Sequence, residues 1–125
     1  MKELTIDSIN FRKHLASEEQ IANMKKLVAA VNKLQSAYGI QFIVTSGLRS
    51  EADQKRINPK APKSRHLLGL AVDIADKDGK LAEWVKANVP KLEEAGIWVE
   101  DLAHTKGWVH FQAVPPRSGN RFFIP

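Results

Sequence analysis

The hydrophobic positions first fall into a helical rhythm. Ser17, followed by Glu18, Glu19 and Gln20, has the form of a capping box, a helix start in which serine and glutamine satisfy free backbone N–H groups. Behind it Ile21, Met24, Leu27, Val28, Val31 and Leu34 recur every three or four residues. That spacing predicts an amphipathic helix to about Ala37, stopping before Gly39, with its apolar stripe packed in a core. The rhythm then shortens. Gln41–Ser46 (QFIVTS) is β-branched and reads as a strand broken at Gly47. Ser50 can cap a short helix through Gln54 and Ile57, with Asp53 near its first turn. Pro59 and Pro62 end that helix and predict a mobile basic loop. Leu70–Ala75 reads as a second strand and Asp76–Gly79 as a turn. A helix covers about Leu81–Asn88, and Pro90 starts another that ends at Gly96. Ile97–Glu100 and Trp108–Gln112 read as two further strands, joined by a loop through His104 and Gly107. Residues 1–16 show no clear period and suggest a short extended piece and a turn. In the tail, Phe122, Phe123 and Ile124 are expected to dock.

Helices first, then strands with helical interruptions, predict an α+β fold: a small antiparallel sheet flanked by helices. Residues 76–96 could instead form a βαβ crossover, which leaves strand order open. A chain of 125 residues fits a single domain, 1–125, and buries roughly two-thirds of its unfolded surface. Its 43% hydrophobic content argues against disorder.

Strand alternation then separates core from chemistry. In the second strand Leu70, Val72 and Ile74 share one face, and Ala71, Asp73 and Ala75 the other. The Asp73 carboxylate therefore leaves the sheet among small residues. Gly69 allows a turn that can bring His66 back towards it. In the last strand Val109 and Phe111 face the core, while Trp108, His110 and Gln112 face away. If the two strands are neighbours, His66, Asp73 and His110 can make a three-ligand zinc site. Water in its open fourth position would have a pKa near 7. On spacing alone the ordinary reading, a structural histidine and a solvated aspartate, stays open.

The chain has no cysteine, so any metal must sit on His, Asp or Glu. The net charge of +5 draws it towards polyanions, either nucleic acid or an anionic wall or membrane surface. The basic residues are scattered, and a merely soluble basic surface accounts for them equally. A basic recognition helix, a stacking-aromatic strand and zinc-finger spacing are all missing, so nucleic acid is not expected as a partner. The N-terminus lacks the apolar core of a signal peptide, and no stretch approaches the roughly 20 apolar residues of a membrane helix. The expectation is cytoplasmic synthesis, with action on the cell wall after release.

Ser64, His66, Gly69, Ala71 and Asp73 stand in the pattern S-x-H-x-x-G-x-A-x-D, followed by Trp108-Val109-His110. Ser46-Gly47-Leu48-Arg49-Ser50 precedes them. Over about Thr45 to Gln112 this resembles the M15 peptidases, which include D-alanyl-D-alanine carboxypeptidases and phage L-alanyl-D-glutamate endolysins. Pro115-Pro116-Arg117-Ser118-Gly119 is similar to the tails of short phage and prophage members. The resemblance implies the hedgehog-like DD-peptidase zinc fold, one Zn²⁺ on His66, Asp73 and His110, and an Arg49 that reaches substrate. It implies hydrolysis of peptidoglycan stem peptides; the short chain leaves little sequence to spare for a lid, which favours an open cleft and an endolysin-type endopeptidase. The alternatives are a D-alanyl-D-alanine carboxypeptidase, or a zinc-containing wall-binding module without catalysis. Anionic wall polymers are a possible partner, and a monomer is expected. Ser64 could hydrogen-bond substrate or only shape the His66 turn. Trp108 could wall the site or merely be a half-buried aromatic.

One position departs from the family pattern. Many members carry an Asp or Glu three residues before the last histidine ligand, where this chain has Gly107. Strand alternation makes Glu100 the preferred replacement base, with Asp101 and His104 as alternatives. Trp84 and Trp98 are assigned to core or rim.

Overall fold

The segment without a clear period contains a helix that its sequence signals only weakly. Thr5 Oγ1 accepts the Ser8 N–H at 3.3 Å, and Ser8 Oγ accepts the Thr5 N–H at 2.9 Å. This capping box, with serine in place of the usual Glu or Gln at N3, opens a one-turn helix, α1 (Ile6–Ile9), whose Ile9 is fully buried. The expected extended piece and turn is corrected accordingly. In this computed structural model residues 1–60 and 63–125 are described.

Ser17 caps α2 (Glu18–Tyr38) in the expected capping box, and Gly39 ends it in the left-handed conformation at φ 82°. Met24, Leu27, Val31 and Leu34 are buried along its inner face, whereas Ile21 in its first turn is exposed. Only Val44–Ser46 of the predicted QFIVTS strand pairs as β1. Phe42, just before it, turns into the core, where its N–H donates to the Gln35 side chain at 2.8 Å. Helix α3 (Glu51–Ile57) starts at Ser50, whose Oγ accepts the Asp53 N–H. Pro59 follows in a turn, and the predicted loop position Pro62 lies outside the described residues. A 3-10 turn spans Arg65–Leu68 and leads into β2 (Ala71–Asp76). Helices α4 (Lys80–Ala87) and α5 (Val89–Ala95) follow, then β3 (Trp98–Glu100), β4 (Gly107–Gln112) and β5 (Phe122–Phe123).

The sheet order is β1-β2-β4-β3-β5. The β1/β2, β2/β4 and β3/β4 pairs are antiparallel, and β3/β5 is parallel. Strands β2 and β3 therefore run the same way with β4 between them. Residues 76–96 do form a crossover, into whose gap β4 later inserts. One sheet face carries the core: Val72, Ile74, Val109, Phe111 and Val99 pack with the inner residues of α2, α4 and α5. Phe123 is buried by joining β3, but Ile124 is 75% exposed and does not dock, because the strand ends one residue earlier. Trp84 stacks edge-on to Tyr38 at the core margin, and the Arg121 guanidinium lies over Trp98, which places both tryptophans as expected. Among the described residues no helix is long and apolar enough to cross a membrane.

Candidate active site

The sheet face opposite the helices carries the polar residues that alternation assigned to it. Asp73 on β2 pairs directly with His110 on β4. His66 reaches them from the 3-10 turn, which ends at Gly69 in the left-handed region, φ 73°. A side chain at Gly69 would also meet Met24 Cγ at 2.8 Å and the Gln20 carbonyl at 3.1 Å. Helix α2 holds this turn from beneath: the Gln20 and Asn23 amides donate to the Leu67 and Leu68 carbonyls, both at 2.9 Å.

The three side chains meet at one oxygen. His110 Nδ1 lies 2.9 Å and His66 Nε2 3.3 Å from Asp73 Oδ1. One ligand atom from each lies within 4.8 Å of the others, and all three residues are buried. Burial works against the Asp73 charge, but the two imidazoles outweigh it and hold the carboxyl well below the usual carboxylate range. Burial also lowers His66. At His110 burial pulls the same way but is overcome by Asp73, so that ring titrates above its ordinary value. The His66 ring is oriented by Nδ1–H, which donates to the Gly47 carbonyl at 2.9 Å and leaves Nε2 as the free acceptor. Two imidazole nitrogens and a carboxylate oxygen turned towards one point fit a divalent cation of the zinc class, with room for a further ligand from the cleft.

That cleft, of about 830 Å³, is also lined by Arg49, Gln54, Ser64, Glu100, His104 and Trp108. Arg49 is braced on three sides: Nε donates to Ser46 Oγ at 2.9 Å, Nη1 to Gln54 Oε1 at 2.9 Å, and Nη2 to Asp73 Oδ2 at 3.3 Å. A guanidinium has five N–H donors. Two therefore remain without a partner among the described residues, on a side chain that lines the cleft. Burial lowers the Arg49 pKa, partly offset by Asp73. Glu100 at the end of β3 is half-buried and makes no hydrogen bond or ion pair among the described residues. Burial raises its pKa, against the pull of His110. Asp101 instead accepts from His104 Nδ1 at 2.6 Å and does not line the cleft, whereas His104 does. Ser64 Oγ accepts the His66 N–H at 3.2 Å, so it does shape the turn. Trp108 lines the cleft at 37% exposure. Gly107 adopts φ 93° with open space where a side chain would be.

Several contributors were not singled out from sequence. The Gly47 carbonyl, Ser46 and Gln54 orient His66 and Arg49, and the S-G-L-R-S segment was the available signal for the first two. Gln112 was placed on the same face as His110 by strand alternation, without a role. The tail residues Arg117, Phe123 and Ile124 complete the cleft wall.

The family model for Peptidase M15 matches residues 1–112. The crystal structure of Serratia marcescens L-Ala D-Glu endopeptidase ChiX is similar, with a TM-score of 0.52 and 26% identity over 84% of this chain and 94% of that one. No curated protein matches the sequence. The family match takes in every strand that carries the His-Asp-His group, and on that span the chain belongs to the M15 peptidases.

Proposed function

We propose that this protein is a zinc-dependent endopeptidase acting on peptidoglycan stem peptides, with the L-alanyl–D-glutamyl bond as its target. The observation that carries the reading is the convergence of His66, Asp73 and His110 in a cleft that also holds Glu100, whose carboxylate has no hydrogen-bond or ion-pair partner among the described residues. The choice of bond follows the activity named for the similar Serratia enzyme. The tail resemblance to short phage members supports a lysis role.

His66 Nε2, Asp73 Oδ1 and His110 Nδ1 would hold the metal. Zinc bound there supplies a Lewis acid that polarises the scissile carbonyl and lets water act as nucleophile at neutral pH. The chain's residues supply the rest. Arg49, fixed by Ser46, Gln54 and Asp73, offers its remaining two N–H groups to a substrate carboxylate or to the oxyanion that develops at the carbonyl. Glu100 takes the proton from the attacking water as the oxygen–carbon bond forms. It returns that proton to the amide nitrogen as the carbon–nitrogen bond breaks. Burial raises Glu100 towards the operating pH, which suits a group that must both accept and give a proton. Trp108 forms an apolar wall for the peptide.

Charge supports an acidic substrate. Arg49, Lys63, Arg65 and Arg117 line the cleft against the carboxylates of Asp73 and Glu100. The excess is positive before any metal is counted, and it favours a peptide bearing free carboxylates. Anionic wall polymers would be drawn to the same basic surface.

The test is digestion of purified walls and synthetic stem peptides by zinc-loaded protein, with mass analysis of the fragments. New L-alanine C-termini and D-glutamate N-termini are expected. Released D-alanine would reassign the protein as a carboxypeptidase, and zinc and wall binding without turnover would make it a binding module. Glu100→Gln is expected to keep zinc and lose about 10²–10⁴ in kcat. Full activity in that variant would pass the proton role to another group, with His104, which lines the same cleft, the next candidate.

A further inference from the structure

We infer that Gln112 selects the nitrogen through which His110 binds metal, and so acts as a positioning residue for the site. The inference rests on the metallopeptidase reading above and concerns a side chain outside the ligand set.

Strand alternation places Gln112 two residues beyond His110 on the same face of β4, where it is buried at 3% exposure. Its Nε2 donates to the Val114 carbonyl at 2.9 Å. A carbonyl can only accept, so this contact fixes which way the amide faces. The amide oxygen is thereby turned to His110 Nε2, 3.0 Å away. An amide oxygen also only accepts, so the imidazole must carry its proton on Nε2. The lone pair of the neutral ring is then on Nδ1, the atom 2.9 Å from Asp73 Oδ1. Two acceptors face each other there, and a cation between them resolves the conflict.

His66 reaches the opposite arrangement by the same logic, since the Gly47 carbonyl holds its proton on Nδ1 and frees Nε2. The site therefore uses the near nitrogen of one ring and the far nitrogen of the other. A histidine pointing off a strand can present either nitrogen by turning its ring. Phe123 and His66 pack edge-on against His110, with centroids 6.0 and 5.1 Å away, and limit that turning. Packing alone does not distinguish N–H from bare nitrogen. Gln112 does, and its own orientation is set by backbone rather than by another mobile side chain.

The test compares Gln112→Met, which keeps volume and removes the acceptor, with Gln112→Glu, which keeps an oxygen facing His110. Zinc affinity is measured by competition with a chromophoric chelator. Gln112→Met is expected to weaken zinc by about 10–100-fold, the usual loss when an outer-shell partner of a metal-bound histidine is removed. Gln112→Glu gives up the donation to Val114 but keeps an acceptor for the His110 Nε2–H, and is expected to lose clearly less zinc affinity than Gln112→Met. The loss in Gln112→Met should fall on kcat at limiting zinc and recover at saturating zinc, with KM for the peptide unchanged. A Gln112→Met protein within about threefold of wild type in zinc affinity would overturn the inference, as would equal weakening in both variants.

A second measurement needs no variant and decides the matter if Gln112→Met does not fold. Long-range ¹H–¹⁵N spectra of the zinc-loaded wild type should show a protonated, hydrogen-bonded Nε2 and a metal-shifted Nδ1 on His110. Metal on Nε2 would overturn the inference while leaving the metallopeptidase reading intact. A wild type that binds no zinc at all would remove both.

Discussion

Replacing Gly47 by alanine puts a methyl group where another backbone already lies. A Cβ built there would sit 1.9 Å from the Ile9 carbonyl oxygen and 2.8 Å from its carbon. Ordinary contact begins at 3.4 Å, so α1 and the Gly47 strand end would have to part by about 1.5 Å. Gly47 is outside the left-handed region, so the cost comes from close approach and not from backbone strain. Two losses follow. The Leu48 N–H now donates to Ile9 O at 3.0 Å, and separation leaves a buried donor and acceptor poorly matched. Overpacking costs about 1–3 kcal/mol and an unsatisfied buried pair a similar amount. The two overlap, and the expected total is about 2–4 kcal/mol, or a fall of about 1–2 M in the urea midpoint. The Gly47 carbonyl also orients His66, so zinc affinity should drop by about 10–100-fold. Gly39→Ala serves as the comparison: it meets nothing within 4 Å and strains only a left-handed helix end. It should cost about 1–2 kcal/mol and leave zinc affinity unchanged. Urea melts of the metal-free proteins and chelator competition measure both effects. A Gly47→Ala protein with wild-type midpoint and zinc affinity would refute the claim that this glycine joins fold to site.

Other outcomes follow from the same geometry. The raised His110 pKa means that metal-free protein holds a proton there beyond the ordinary histidine value of about 6.5, and zinc must displace it. Zinc affinity should therefore climb with pH, up to about tenfold per unit, until that raised value is passed; titration calorimetry in buffers of different ionisation enthalpy should detect the released proton. In the metal-free protein the His110 charge stabilises the fold below about pH 6.5, and that contribution is lost as pH rises through the raised folded pKa. Asp73 works in the other sense: its lowered pKa stabilises the fold above the ordinary carboxylate value and is lost as pH falls below it. His66, whose lowered pKa disfavours the fold as pH falls below about 6.5, opposes His110 there, so the test is the difference in urea midpoint between wild type and His110→Gln, which should shrink as pH rises above the ordinary histidine value. Arg117→Glu, on the exposed cleft wall, should raise KM for an acidic peptide about 2–5-fold with kcat unchanged, and the effect should shrink with added salt; an unchanged KM at low salt would argue against the charge-based substrate reading. Asp76 accepts the Leu81 and Ala82 N–H groups, each at 2.9 Å, at the start of α4. Asp76→Ala should cost about 1–3 kcal/mol in a urea melt while zinc affinity stays at the wild-type value.

Local chemistry made much of the molecule legible in one dimension. The Ser17 box, the Met24-to-Leu34 stripe and Gly39 define α2 because capping and a 3.6-residue period are properties of neighbouring residues. Alternation separated Asp73 and His110 from the core-facing valines and isoleucine, because a strand's two faces are fixed by its pleat. The motif from Ser64 to His110 likewise pointed to the metal group and, through the substitution at Gly107, to Glu100. Pairing was a different matter. The order β1-β2-β4-β3-β5 depends on which strands share a core, and nothing local tells β4 to insert between β2 and β3. Only that insertion sets Asp73 opposite His110 and brings Glu100 to the same cleft. The partners that orient the site are still less readable. Gly47 and Val114 act through carbonyl oxygens that every residue possesses, so no side chain announces them. The sequence supplied the candidate groups of the site; the directions in which their lone pairs point were decided by backbone that meets them only once the chain has folded.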